Sequence, residues 1–174
     1  AMARSAIGKN LAGICITDHL DYDYPDEPDL FTIDFPQYEK GIRQLQADFS
    51  DSLNINFGIE LGLQPHLAKK HHEILQETDF DFVIGSSHVV HGLDPYYPAY
   101  YEERSEHAAY LEYFESILEN IAAFHEFDVY GHIDYVVRYG PEKNKNYSYD
   151  KYKDVIDEIL RQLITHGKGI ELNM

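Results

Sequence analysis

Five short apolar runs alternate with longer stretches whose apolar residues recur at helical spacing. The runs cover residues 11–17, 55–62, 80–86, 128–131 and 169–172. Runs of this length, bounded by glycine, proline and polar residues, predict strands, those over 11–17 and 55–62 buried. Between them, Tyr38, Ile42, Leu45 and Phe49 predict one helix. Leu67, Ile74 and Leu75 predict a second, which Pro65 opens in its first turn. The longest is predicted over about 103–124, where Tyr110, Phe114, Ile117, Leu118 and Ile121 form one stripe. A fourth turns Tyr152, Val155, Ile159 and Leu163 inward, with Gly167 as its C-cap. Residues 5–10 read as the tail of a helix, and 20–36, 89–101 and 139–147 as loops.

Regular strand–helix alternation without a long linker means a parallel sheet with helices outside it. An open doubly wound sheet and a (β/α) barrel both satisfy the pattern, and the polar positions choose between them. His19, Glu60, His88 and His132 each close or follow a different strand. A barrel gathers the C-terminal ends of its strands on one face, whereas an open sheet spreads them along a line. The expectation is one α/β domain over residues 1–174, built as a (β/α) barrel. Five strands close a barrel poorly, so it is expected to be incomplete.

A glutamate at the end of a buried strand is costly unless a cation meets it. Glu60 is therefore expected to meet a metal ion, joined by the imidazoles of His19, His88 and His132. Each histidine alone reads as an ordinary core residue; equivalent strand-end positions make the set a constellation. Imidazole and carboxylate without a thiolate cluster suit Zn, Fe, Mn or Ni. The two oxygens of a carboxylate can also bridge two metals. Asp18 and Asp134 are expected either to fix imidazole tautomers from behind or to remain solvated loop residues. Arg138 follows the His132 strand, and its guanidinium suits a phosphate dianion as well as a salt bridge to one of many acids. His66, His71 and His72 are expected on the surface, and His107, His125 and His166 as structural helix residues. His91, in the loop just after His88, could touch a substrate but reads better as a loop residue without a role. Tyr96, Tyr97, Tyr100 and Tyr101 are expected to pack a long loop onto the barrel rim rather than to wall a pocket.

With 44% hydrophobic residues, the 174-residue chain can bury a core. Its net charge of −17 opposes binding to a nucleic-acid backbone, although bound metal ions would concentrate positive charge locally. No run is long enough to span a bilayer or reads as a signal peptide, so a cytoplasmic location is the default. The single Cys15 lies in a predicted strand and reads as a small buried hydrophobe. Ala1 ahead of Met2 reads as the scar of a cleaved tag.

Thr17-Asp18-His19, Gly58-Ile59-Glu60, Gly85-Ser86-Ser87-His88 and Gly131-His132-Ile133-Asp134, in this order, resemble the motifs of the PHP (polymerase and histidinol phosphatase) family. The segment HIDYVVRYGPEKN, starting at His132, is similar to the histidinol-phosphatase branch. The resemblance implies a distorted (β/α) barrel, a trinuclear metal site and phosphoester hydrolysis by metal-activated hydroxide. The substrate it implies is L-histidinol phosphate, cleaved to histidinol and phosphate in histidine biosynthesis. Carried over to this chain, Glu60 resembles the bridging carboxylate. His88 and His132 resemble the other ligands of one metal, and His19 a ligand of another. Arg138 resembles a phosphate-binding arginine. Zinc leads among the implied cofactors, with iron or manganese as alternatives. The family's opening His-x-His strand and closing Asp-x-His strand have no counterpart here, so about five of seven strands and an impaired activity are expected. The rival expectations are a PHP phosphoesterase acting on another phosphomonoester or a nucleotide, and a non-catalytic metal-binding or interaction remnant. The expected partner is a small phosphorylated substrate rather than nucleic acid or a membrane, and exposed sheet edges would invite a second copy.

Overall fold

The five predicted strands form as β1 (Gly13–Leu20), β2 (Asn54–Gly62), β3 (Phe82–Ser86), β4 (Val129–Tyr130) and β5 (Gly169–Ile170) in a computed structural model that describes residues 1–172. Between and around them lie α1 (Met2–Gly8), α2 (Phe35–Phe49), α3 (Ala68–Glu77), α4 (Glu106–Ala123), α5 (Tyr135–Tyr139) and α6 (Tyr149–Thr165). All neighbouring strands pair in parallel, in the order β1-β2-β3-β4-β5. An order that never reverses is that of a (β/α) barrel; a doubly wound sheet would turn back at a switch point.

Side-chain alternation then decides what each strand shows to which side. In β2, Ile55, Phe57, Ile59 and Leu61 share one face, and all are buried. Ile55 and Phe57 pack with Ile42 of α2 and with Ala3 and Ala6 of α1. Ile59 and Leu61 pack with Ile74 of α3 and with Ile117 and Ile121 of α4. The opposite, inner face therefore carries Asn56, Gly58, Glu60 and Gly62. Parallel register sets Thr17 beside Gly58 and His19 beside Glu60, so the inner face of β1 carries Thr17 and His19. The same alternation sends Asp18 to the helix side.

A repeated device fixes that register. The Asp81 N–H donates to the Phe57 carbonyl at 2.7 Å, while Asp81 Oδ2 accepts the Phe57 N–H at 2.8 Å. Asp128 makes the same pair of bonds with Val83, at 2.8 and 2.7 Å. Each aspartate locks the start of its strand to the strand before it, and a one-residue slip would turn the inner set outward. Helix starts are set by side-chain caps. Asp34 accepts the Gln37 N–H ahead of α2, and Ser105 accepts the Ala108 N–H ahead of α4.

The departures from expectation are local. β1 runs on through His19 to Leu20, so His19 lies within the strand instead of after it. The cap at Ser105 starts the longest helix at Glu106, later than its apolar stripe suggested. Helix α5 has five residues, too few for periodicity to announce it. Cys15 is only half-buried; burial, with the charges of Asp81 and Asp128, pushes its thiol above the ordinary range. Among the described residues no helix is long and apolar enough to cross a membrane.

Candidate metal centre

Four chain segments converge at the C-terminal ends of β1 to β4. His19 and Glu60 arrive on the inner faces of β1 and β2, side by side in register. His88 lies two residues beyond β3. Its turn is held by Tyr113, which donates to the Ser87 carbonyl at 3.0 Å, and by Asn120, which donates to Ser87 Oγ at 2.8 Å. His132 lies two residues beyond β4, and its N–H donates to Glu171 Oε2 at 3.2 Å.

Glu60, His88 and His132 are all buried. Glu60 Oε1 is 3.2 Å from His88 Nε2 and 3.1 Å from His132 Nε2, and the two Nε2 atoms are 3.4 Å apart. Donors about 2.0–2.1 Å from a tetrahedral zinc ion sit roughly 3.3 Å from one another. The three atoms thus already have the mutual spacing of one face of such a coordination shell. The other carboxylate oxygen, Oε2, lies 3.5 Å from His19 Nε2. One carboxylate thereby faces two separate sets of imidazoles, as a bridging ligand must.

Asp21 supplies the orientation. Its Oδ1 accepts the Nδ1–H of His88 at 2.7 Å, which turns Nε2, the nitrogen that would give up its proton to a metal, toward Glu60 and His132. The backbone approach that admits Asp21 needs a glycine: a Cβ on Gly62 would overlap the Asp21 carboxylate. His19, His88 and Asp21 form a second group of potential ligands beside the first.

The electrostatics point the same way. Burial alone would raise the Glu60 carboxyl, but hydrogen bonds from His132 and His88 outweigh it and hold the group well below the usual range. Burial lowers His88, yet Asp21 and Glu60 more than offset this and push it up. The hydrogen bond to Asp21 likewise raises His19 against the effect of burial. Buried carboxylates that make imidazoles keep their protons are groups a divalent cation can satisfy by displacing those protons. The donor set, the spacing and the charge all fit a metal ion.

Arg138 lies on α5 and lines the same cleft, which holds about 600 Å³. Arg43, Arg104 and Arg161 are each paired with a carboxylate, whereas Arg138 has no ion-pair partner among the described residues. The structure thus brings His19, Glu60, His88, His132 and Arg138 to one cleft.

The secondary expectations divide, with Asp18 and Asp134 falling on their solvated side. Asp18 and Asp134 are exposed and support no imidazole: Asp18 has the wrong parity on β1, and Asp134 sits at the start of α5. Asp21 fills that role instead. His71 is fully buried rather than on the surface, with Nε2 3.2 Å from the Gly62 carbonyl oxygen. His66 and His72 are exposed, paired with Asp23 and Glu126. His91 joins Glu112 and Glu119 of α4. His107 meets Tyr152 of α6, and His125 stacks on His166 with ring centroids 4.1 Å apart. The tyrosine cluster divides: Tyr100 and Tyr101 pack the loop, while Tyr96 and Tyr97 line the cleft. Glu171, Asp21 and Asp94 also line the cleft and drew no notice in the sequence. Glu171 had a visible signal, because Gly-Ile-Glu-Leu occurs twice, at 58–61 and at 169–172.

A family model described as PHP domain matches residues 1–174. A histidinol-phosphatase from Lactococcus lactis is 32% identical over 169 residues, which are 97% of this chain and 62% of that protein. The chain therefore spans less than two thirds of that relative's length. The solved structure of the Lactococcus lactis histidinol phosphate phosphatase, complexed with zinc, L-histidinol and phosphate, superposes with a TM-score of 0.92 at 32% identity. The superposition covers 98% of this chain and 65% of that one. A solved structure from Listeria monocytogenes gives a TM-score of 0.80 over 97% of this chain and 73% of that one; at 18% identity the likeness is one of fold.

Proposed function

The chain belongs to the PHP domain family, and from that membership we propose that it serves as a metal-dependent phosphatase, hydrolysing L-histidinol phosphate to L-histidinol and phosphate. The reaction is a step of histidine biosynthesis, and its setting on this reading is the cytoplasm. The observation that supports it best is the set of mutual distances between Glu60 Oε1, His88 Nε2 and His132 Nε2, all within 3.1–3.4 Å.

In this reading Glu60, His88 and His132 hold one divalent cation, and Glu60 Oε2 with His19 Nε2 contributes to a second. Zinc suits these donors. Bound there, the ions would act as Lewis acids and lower the pKa of water so that hydroxide forms near neutral pH. The chain's own residues do the rest. Asp21 keeps the Nδ1 proton of His88 and so fixes its tautomer. Glu171 anchors the backbone of His132. Arg138 offers a planar pair of N–H donors to the phosphate oxygens, a geometry that orients the ester and neutralises its charge.

The test is Glu60→Gln, which keeps the shape and removes the charge. Zinc affinity, measured by equilibrium dialysis with elemental analysis, should fall by roughly 100-fold or more, since even the loss of a supporting partner costs 10–100-fold. Phosphate release from L-histidinol phosphate should fall with it, and a panel of other phosphomonoesters and nucleotides should be cleaved more slowly by the unsubstituted protein. Equal zinc content in the two proteins would remove the basis of the reading.

A further inference from the structure

A second cavity, of about 370 Å³, opens behind the turn that carries His88. It lies between that turn, the segment leading from β2 into α3, and α4, and it shares no lining residue with the cleft. Asn120 of α4 forms part of its wall and is only 2% exposed. The Asn120 amide is half used. Its Nδ2 donates to Ser87 Oγ at 2.8 Å, whereas Oδ1 is buried without a hydrogen-bond partner. A buried amide oxygen left unmet is costly, and folded proteins supply such groups with donors. The donor that meets this one has to enter through the cavity.

The other groups along the cavity decide what kind of donor fits. Gln64 spends its Nε2 on the Tyr22 carbonyl at 3.0 Å, which leaves its amide oxygen. Asp23 meets His66 at 3.0 Å through Oδ2, and Glu119 meets His91 at 3.2 Å through Oε2, so each carboxylate keeps a second oxygen. No lysine or arginine lines the cavity. Acceptors therefore predominate, two of them charged, and they suit a ligand that is both a donor and a cation. A bare metal ion does not fit. Among the described residues, the histidine and carboxylate atoms that gather in threes within 4.8 Å all belong to the metal centre. Pro65, Val89 and Val90 supply apolar wall, against which a short carbon chain packs.

We propose that this cavity binds a small organic molecule bearing primary ammonium groups, which donates to Asn120 Oδ1 and sets its charge against Asp23 and Glu119. The site is independent of the phosphatase reading, since none of His19, Glu60, His88 and His132 lines it. It is nonetheless a neighbour of that centre. Asn120 holds Ser87, and Val89 and Val90 continue the chain beyond His88, so an occupant bears on both flanks of the His88 turn.

The probe is 1,4-diaminobutane, compared by calorimetry with butane-1,4-diol, which has a similar reach and neutral donors. The unsubstituted protein should bind the diamine with a Kd of about 1 mM or tighter, and the diol at least about 10-fold more weakly. Glu119→Gln and Asp23→Asn should each weaken the diamine about 3- to 10-fold, between the values for an exposed pair and for a buried charged hydrogen bond. Both side chains are more than half exposed, so neither substitution threatens the fold. The cleft has a buried carboxylate of its own, Asp94, which accepts from the hydroxyls of Tyr24 at 2.5 Å and Tyr135 at 3.1 Å. Asp94→Asn is therefore the control, and it should leave the diamine within about twofold, as for an independent site. A diamine weakened by Asp94→Asn and not by Glu119→Gln sits in the cleft, which overturns the proposal. Equal affinity for diamine and diol overturns it as well, because the charge is then not read. So does the absence of any binding heat with the diamine, which leaves Asn120 to water.

Discussion

Replacing His71 with phenylalanine should flatten the acid side of this protein's stability profile. His71 is fully buried in α3, its ring against Phe124 and Tyr22. Nε2 reaches the Gly62 carbonyl, which makes it the protonated nitrogen, and Nδ1 is buried without a partner. A second proton would have to sit on Nδ1, which is buried and has no acceptor. Burial accordingly pulls the imidazole down to about 4, from a solvated value near 6.5. The folded state therefore resists a proton that the unfolded chain takes up. Stability linked to His71 is complete above pH 6.5, falls as the pH drops, and stops falling below about pH 4, where both states are protonated. Linkage gives a loss of about 2 kcal/mol by pH 5 and about 3 kcal/mol by pH 4. Against a total of roughly 5–15 kcal/mol this is a large share. Urea unfolding followed by circular dichroism, in EDTA between pH 7.5 and 4.5, measures it. His71→Phe loses the bond to Gly62 and should be about 1 kcal/mol less stable at pH 7.5. That deficit should shrink on acidification and reverse by pH 5. Parallel stability curves for the two proteins would refute the reasoning, whatever other groups titrate in both.

Other substitutions probe the support of the metal centre. Asp21→Asn should lower zinc affinity about 10- to 100-fold, because His88 loses the acceptor that holds its tautomer; equilibrium dialysis reads this, and helix content should not change. Gly62→Ala should weaken zinc binding in the same assay by displacing Asp21, and its effect should largely vanish in the Asp21→Asn background, where the displaced bond is already weakened.

The parallel α/β architecture was legible because the longer elements announced themselves with their own periods. The stripe of α4 and the apolar run of β2 leave little choice about what must be buried. Glu60 was legible for the complementary reason, as a charge where the pattern demanded an apolar residue. Asp21 and Asp18 show where this stops. Both are loop-proximal aspartates flanking His19, and sequence distance favoured Asp18. The pleat of β1 sends Asp18 outward, and the turn after Leu20 brings Asp21 under His88, 67 residues away along the chain. His71 misled similarly, since its lysine-rich surroundings suggested a surface position. The helix places Lys69 on the exposed side and His71 on the buried one.

The sequence by itself determined the order of strands and helices, the residues that must be buried, and the polar exceptions that had to find partners. Those follow from local periodicity and from the cost of burying charge, and both can be read one residue at a time. Only the tertiary structure decided which partners they found: that Glu60 Oε1 meets His88 and His132 while Oε2 meets His19, that Asp21 orients His88, and that Asp94 lies buried among tyrosines. Those pairings depend on register, pleat parity and loop paths, each of which couples residues far apart in the chain to within a single hydrogen bond.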